Sequence, residues 1–163
     1  MSKALKIVPD KCTGCMQCEL ACSWVQTGTF QPSMSLIRVN VFDEEASYAP
    51  YTCLQCDEAW CMNSCPVNAI AIDADTGAKI IVEEMCVGCH LCTIACPFGT
   101  VWTTPETDKA TKCNLCGGDP ACATSCPTDA IEYAESSGAE WFESWGEKVH
   151  SRFVEAVPSD SAS

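Results

Sequence analysis

Sixteen cysteines stand in four groups of four, and none is left over. The groups are Cys12, Cys15, Cys18, Cys22; Cys53, Cys56, Cys61, Cys65; Cys86, Cys89, Cys92, Cys96; and Cys113, Cys116, Cys122, Cys126. The first and third read C-x2-C-x2-C-x3-C, while the second and fourth keep both ends of that run and widen its middle gap. Neighbours this close along the chain leave too little backbone for ordinary disulfides, but the spacing suits thiolates converging on metal. A fourfold recurrence of one pattern marks a repeated metal site, not an irregular disulfide framework. The chain must therefore fold around what its thiolates hold.

Three of the groups are followed directly by proline, at Pro66, Pro97 and Pro127; in the first, Ser23 takes that place. The compact run ending in x3-C-P is the one bacterial ferredoxins use for a [4Fe–4S] cluster. Four-cysteine zinc ribbons instead present two C-x-x-C knuckles separated by a longer stretch. Four complete ligand sets predict four [4Fe–4S] clusters and a chain that moves electrons. The x3-C ending predicts a helix that starts at the third cysteine and carries the fourth toward another site. In two-cluster ferredoxins the fourth cysteine of each run ligates the other cluster, so the motifs are expected to work in pairs. The short link from Cys65 to Cys86 favours pairing motifs two and three, which leaves motifs one and four to pair around them.

The intervening segments are short. SLIRVNVF reads as a strand through Leu36, Ile37, Val39 and Val41, and the segments around Ile70 and Ile80 flank DADTG as a hairpin. CPVNAI and CPTDAI repeat one another, with CPFGTV as a degenerate copy. Apolar segments this short build only a marginal core, and metal binding and folding should be a single equilibrium. After Ile131 the sequence has no cysteine and is acidic; Phe142, Trp145, Val149 and Phe153 recur at helical spacing. An amphipathic helix is expected there, as a cap on the cluster domain, a hook for a partner subunit, or a surface for self-association.

The net charge is −13, and each oxidised cluster with its four thiolates adds about two more negative charges. Such a field repels nucleic acid and favours partners with basic docking surfaces. Between Arg38 and Lys79 no basic residue occurs, while Asp43, Glu44, Glu45, Asp57, Glu58, Asp73 and Asp75 do, a solvated acidic face or a docking patch. No apolar stretch reaches the roughly 18 residues that span a bilayer. The opening MSKALKIVPDKC has neither an apolar signal core nor twin arginines, so a reducing, cytoplasmic setting is expected. With every cysteine used as a ligand and no Ser/His or phosphate-loop motif, no catalysis by the chain itself is expected. Near the ligands, His90, Trp60, Trp102 and Lys112 invite functional readings. Lys112 beside Cys113 would raise its cluster's potential if buried, and would be screened by water if exposed.

Across residues 4 to 133 the sixteen cysteines, with Lys109 to Cys113, resemble the four-cluster iron–sulfur subunits of the dimethyl sulfoxide reductase B-subunit type. The resemblance implies an α+β fold of two ferredoxin-like modules, one nested in the other. The outer module spans 1–52 and 97–135 and the inserted module 53–96, with 136–163 as the acidic tail. It also implies the ligand sets. Cluster 1 takes Cys12, Cys15, Cys18 and Cys126; cluster 2 takes Cys113, Cys116, Cys122 and Cys22. Cluster 3 takes Cys53, Cys56, Cys61 and Cys96; cluster 4 takes Cys86, Cys89, Cys92 and Cys65. In its compact length the chain is most similar to the small subunit of tungsten aldehyde oxidoreductases. That likeness implies a large catalytic partner carrying a tungsten bis-pterin, and a flavin subunit linking to NAD. Corresponding subunits of benzoyl-CoA reductase, formate dehydrogenase or hydrogenase, and a free polyferredoxin, are the alternatives.

Overall fold

A computed structural model describes residues 3–43 and 46–135; the expected tail helix and residues 44–45 lie outside them. The architecture is α+β, with short elements threaded between cysteine loops. In chain order these are β1 (Lys3–Ile7), α1 (Gln17–Thr27), β2 (Ile37–Phe42), β3 (Ser47–Thr52), α2 (Trp60–Asn63) and β4 (Ile70–Ile72). Then follow β5 (Lys79–Ile81), α3 (Leu91–Ala95), β6 (Trp102–Thr103), β7 (Ala110–Thr111), α4 (Ala121–Thr124) and β8 (Ile131–Glu135).

The strands form four separate antiparallel pairs, β1–β8, β2–β3, β4–β5 and β6–β7. The β1–β8 pair sets Ile7 opposite Ile131 and Lys3 opposite Glu135, bringing the two ends of the cysteine-bearing region side by side. The Val8 amide extends the ladder to the Ala130 carbonyl at 2.9 Å. The β4–β5 hairpin expected around DADTG is present, with Ile70 opposite Ile81. Its turn is held by Asp73, whose carboxylate accepts from the Thr76 amide at 3.1 Å, and by Gly77 at φ 72°. SLIRVNVF is β2, as expected, and its partner β3 was not foreseen from the sequence.

Each helix begins immediately before the third cysteine of its motif: Cys18, Cys61, Cys92 and Cys122 each occupy the second helical position. Three helices stop after four or five residues, where proline follows the fourth cysteine. Proline removes an amide and disfavours a helical predecessor, so the helix cannot continue through it. In the first motif Ser23 permits continuation. α1 runs to Thr27 and ends at Gly28, whose left-handed backbone (φ 71°) lets its amide reach the Trp24 carbonyl. The Ser23 hydroxyl is fully buried, donating to the Leu20 carbonyl at 2.9 Å and accepting from the Gln31 amide at 3.1 Å. The missing proline thus accounts for the longer helix and for the excursion that folds back as β2.

Cysteines are part of both main cores. One joins Cys18, Cys22 and Cys122 to Leu5, Leu36, Ile37, Leu115 and Ile131, with Cys113 and Cys126 against it. The other joins Cys61 and Cys92 to Ile70, Val101 and Ala110, with Cys65, Cys86 and Cys96 against it. Motifs one and four therefore share one core, and motifs two and three share the other.

Candidate iron–sulfur sites

Each motif opens on a loop whose second residue after the first cysteine is left-handed: Gly14 (φ 70°), Gln55 (φ 52°), Gly88 (φ 68°) and Leu115 (φ 56°). This reversal curls the first two cysteines around a common centre before the helix presents the third. At Gly88 the requirement is twofold, since a Cβ there would also lie 2.9 Å from the Asp108 carbonyl oxygen. Gly88→Ala should cost about 1–2 kcal/mol from the left-handed backbone alone. At roughly 2–4 °C per kcal/mol, thermal melting of the loaded protein should fall by several degrees; an unchanged melting temperature would contradict this.

After the fourth cysteine the chain turns again through a left-handed residue, at Asn68 (φ 52°), Gly99 (φ 63°) and Asp129 (φ 51°). These are the third residues after Cys65, Cys96 and Cys126, so the CPVN, CPFG and CPTD repeats are one structural device. It returns the next residue's donor to the sulfur. The Ala69 amide donates to Cys65 Sγ at 3.2 Å, and Thr100 Oγ1 lies 3.6 Å from Cys96 Sγ.

Two cavities bring thiols of neighbouring motifs together. One is lined by Cys53, Cys56, Cys61 and Cys96. The other is lined by Cys65, Cys86, Cys89 and Cys92. In each, three thiols come from one motif and the fourth from its neighbour. Cys22 lies near enough to Cys113, Cys116 and Cys122 for its charge to act on all three, as the charges of Cys12 and Cys15 act on Cys18. Cys126 packs on the core that holds Cys18 and Cys22. Among the described residues no three His, Cys, Asp or Glu side chains converge tightly enough to hold a single metal ion. Instead eight of the thiols stand in two sets of four around these cavities, an all-sulfur donor set of the kind an iron–sulfur cluster takes.

Residues 44–136 match the 4Fe-4S dicluster domain family, and residues 5–23 match the 4Fe-4S binding domain family. This protein belongs to the 4Fe-4S dicluster family. Named relatives include electron-transfer subunits of oxidoreductases. The polyferredoxin-like subunit of aliphatic sulfonate oxidoreductase from Pyrococcus furiosus is 42% identical over 120 residues, covering 74% of this chain and 69% of the relative. The B subunit of polysulfide reductase from Wolinella succinogenes is 31% identical over 160 residues (84% and 79%). The thiosulfate reductase electron transfer subunit PhsB of Salmonella typhi is 32% identical over 145 residues (80% and 74%).

In this dicluster protein several of the free thiols are poor anions. Burial pushes Cys18 and Cys113 up to about 12 and Cys56 to about 11. It also raises Cys61, Cys92, Cys116 and Cys122. At neutral pH these groups hold protons that metal must displace. Cys126 moves the other way: burial opposes its charge, but the backbone amides of Thr128, Ala130 and Ile131 outweigh it and lower the thiol. The Leu36 amide similarly donates to Cys22 Sγ at 3.3 Å. Such bonds to sulfur stabilise negative charge there.

Exposure differs along the array. Cys15 and Cys89 are exposed, while Cys18, Cys22, Cys53, Cys61, Cys92 and Cys122 are buried. Between the cores, Cys53 lies near enough to act on Cys113. Of the residues singled out beside the ligands, Trp60 is half exposed and meets Phe98 edge-on at 6.3 Å, both lining the Cys53 cavity. Trp102 packs at the edge of the first core with Arg38 over its ring at 5.6 Å. His90 lines the Cys86 cavity, its Nε2 lying 3.4 Å from the exposed Asp108 carboxylate. Lys112, left open between burial and exposure by the sequence, is only 4% exposed. Its companions Gln55 and Lys79 carried no sequence signal beyond Gln55 standing where two other motifs have glycine.

Proposed function

We propose that this chain is the non-catalytic relay subunit of an oxidoreductase complex, passing single electrons through four [4Fe–4S] sites. The observation that carries the reading is the pair of cavities each completed by a cysteine from the neighbouring motif. It supports the nested ligand sets for clusters 3 and 4. The proximity of Cys22 to Cys113, Cys116 and Cys122 supports the set for cluster 2, and the β1–β8 pair favours Cys126 joining Cys12, Cys15 and Cys18. On this reading residues 1–52 and 97–135 form an outer module around 53–96.

A bound [4Fe–4S] cluster supplies one-electron transfer without bond making or breaking. The chain's own residues do the rest. The left-handed loops and helix starts fix the thiolates. Leu5, Leu115, Ile131, Ile70 and Val101 keep water from the interior sites. The nearness of Cys18 to Cys122 and of Cys53 to Cys113, and the shared core of Cys61 and Cys92, favour the order 1, 2, 3, 4. Exposed Cys15 and Cys89 fall in sets 1 and 4, where electrons enter and leave.

For the catalytic partner we propose a tungsten–pterin aldehyde oxidoreductase in the cytoplasm, with a flavin/NAD subunit or a ferredoxin at the other end. The name of the Pyrococcus relative favours a second substrate reading, an aliphatic sulfonate. Anaerobic purification of the native complex through a tag on this chain tests the proposal. Tungsten co-purifying with a large subunit supports it, and activity on aldehyde or on sulfonate then separates the two substrates. Molybdenum or nickel would move the chain to a formate dehydrogenase or hydrogenase. Full iron with no partner would make it a free polyferredoxin.

A further inference from the structure

Two lysines are the only charged side chains buried among the described residues: Lys79, 7% exposed, and Lys112, 4% exposed. Ordinarily a buried ammonium is matched by a carboxylate, because an uncompensated charge away from water is costly. Here the ion pairs among the described residues are Lys11–Glu132 and His90–Asp108, and neither buried lysine takes part. Neutral oxygens hold them instead. Lys79 Nζ donates to the Gln55 carbonyl at 3.1 Å. Lys112 Nζ donates to the Lys79 carbonyl, and at 3.4 Å to Gln55 Oε1 and to the Cys113 carbonyl.

Gln55 locks the arrangement. Its Nε2 donates to the Cys113 carbonyl at 2.7 Å and its Oε1 accepts from the Lys79 amide at 2.8 Å. Both lysines line the cavity formed by Cys53, Cys56, Cys61 and Cys96. Lys112 stands in the wall of the Cys61 cavity and reaches the Cys113 carbonyl, so it lies between residues of two different sets. The missing counter-charge is therefore the thiolate-bound group in that cavity, with the pair set in the wall toward Cys113.

We infer that Lys79 and Lys112, aligned by Gln55, form a fixed cation pair that raises the reduction potential at the Cys53, Cys56, Cys61 and Cys96 site above those of the other three, making it the relay's electron reservoir. The inference rests on the four-site relay reading. The step it governs is a one-electron reduction: an electron arrives from a neighbouring site, no bond changes and no proton is required. Reduction adds one negative charge, and a cation already in place stabilises the reduced form more than the oxidised form. Among the described residues, only the Cys53 cavity has both buried lysines in its wall; Lys112 reaches the Cys113 carbonyl by one bond, and Lys11 and His90 are partly exposed and face carboxylates.

The test is a redox titration of the full-length chain, isolated anaerobically, followed by electron paramagnetic resonance and iron analysis. In the unmodified chain the highest-potential signal should vanish in Cys96→Ser. In Lys79→Gln, Lys112→Gln and the corresponding Met variants, that signal should shift toward lower potential by at least tenfold in its redox equilibrium, about 59 mV for one electron. The other three midpoints should move less, and iron content should hold. Survival of the highest-potential signal in Cys96→Ser, or unmoved midpoints at full iron, overturns the cation pair alone. Loss of iron from both Gln and Met variants at either lysine overturns it in favour of a structural role. An unmodified chain with fewer than four clusters ends the relay reading and this inference with it.

Discussion

Cys96→Ser should empty the site of Cys53, Cys56 and Cys61 and spare that of its own run, Cys86, Cys89 and Cys92. Iron should fall by about a quarter, one cluster of four. The expectation follows from where the backbone leads. α3 presents Cys92 in its first turn and ends at Cys96, whose extended backbone (φ −76°, ψ 110°) leaves the helix. Pro97 and left-handed Gly99 then hold the following segment against the neighbouring cavity, where Cys96 meets Cys53, Cys56 and Cys61. A double-mutant comparison makes the result decisive. Cys96→Ser with Cys56→Ser should lose no more iron than either alone, because both strike one site. Cys96→Ser with Cys89→Ser should lose twice as much. The opposite pattern would show that each motif ligates its own cluster.

Removing iron should unfold the chain. The described strands pair only two by two, and the buried cores are short apolar segments closed by cysteines. Structural zinc in zinc-finger peptides contributes about 10–16 kcal/mol, at or above the roughly 5–15 kcal/mol that a whole domain has to spare, and iron–sulfur clusters in cores this small should carry a comparable share. Anaerobic chelation should therefore abolish both the cooperative thermal transition and the near-ultraviolet circular dichroism. A chain that still melts cooperatively without iron would contradict this. The pH dependence has a definite sign. While the chain is still folded, burial holds the free Cys18 and Cys113 thiols up near 12, and once it has unfolded an ordinary thiol titrates at about 8.5, so in either state each takes a proton as iron leaves near neutral pH. Lowering the pH feeds that protonation and should speed iron loss; raising it toward 9 should slow it.

Much of this was legible in the residues. The cysteine spacing anticipates helices at the third ligand, and each helix does start one residue before it. Alternation in SLIRVNVF and the turn residues of DADTG anticipate β2 and the β4–β5 hairpin. Replacement of proline by Ser23 is enough to explain why α1 outruns its counterparts, although that consequence emerges only when the four helices are compared. What the residues did not disclose are features set by tertiary context. β3 contains Pro50 and no clear alternation, and pairs because β2 lies beside it. Gln55 and Leu115 adopt the left-handed turn that glycine supplies in the other motifs, held by burial and not by local preference. Lysine is ordinarily a surface residue, so nothing local in the sequence marks Lys79 and Lys112 as buried beside a ligand cavity. The proposed amphipathic helix of the tail lies outside the described residues.

The most direct test of the relay is an anaerobic reductive titration of the full-length chain, counting electrons against iron. At about sixteen irons per chain, a four-site relay should take up about four electrons, one per cluster, and return them to an oxidant. Uptake of about two electrons at half that iron, or none with the sites filled by zinc, would contradict it.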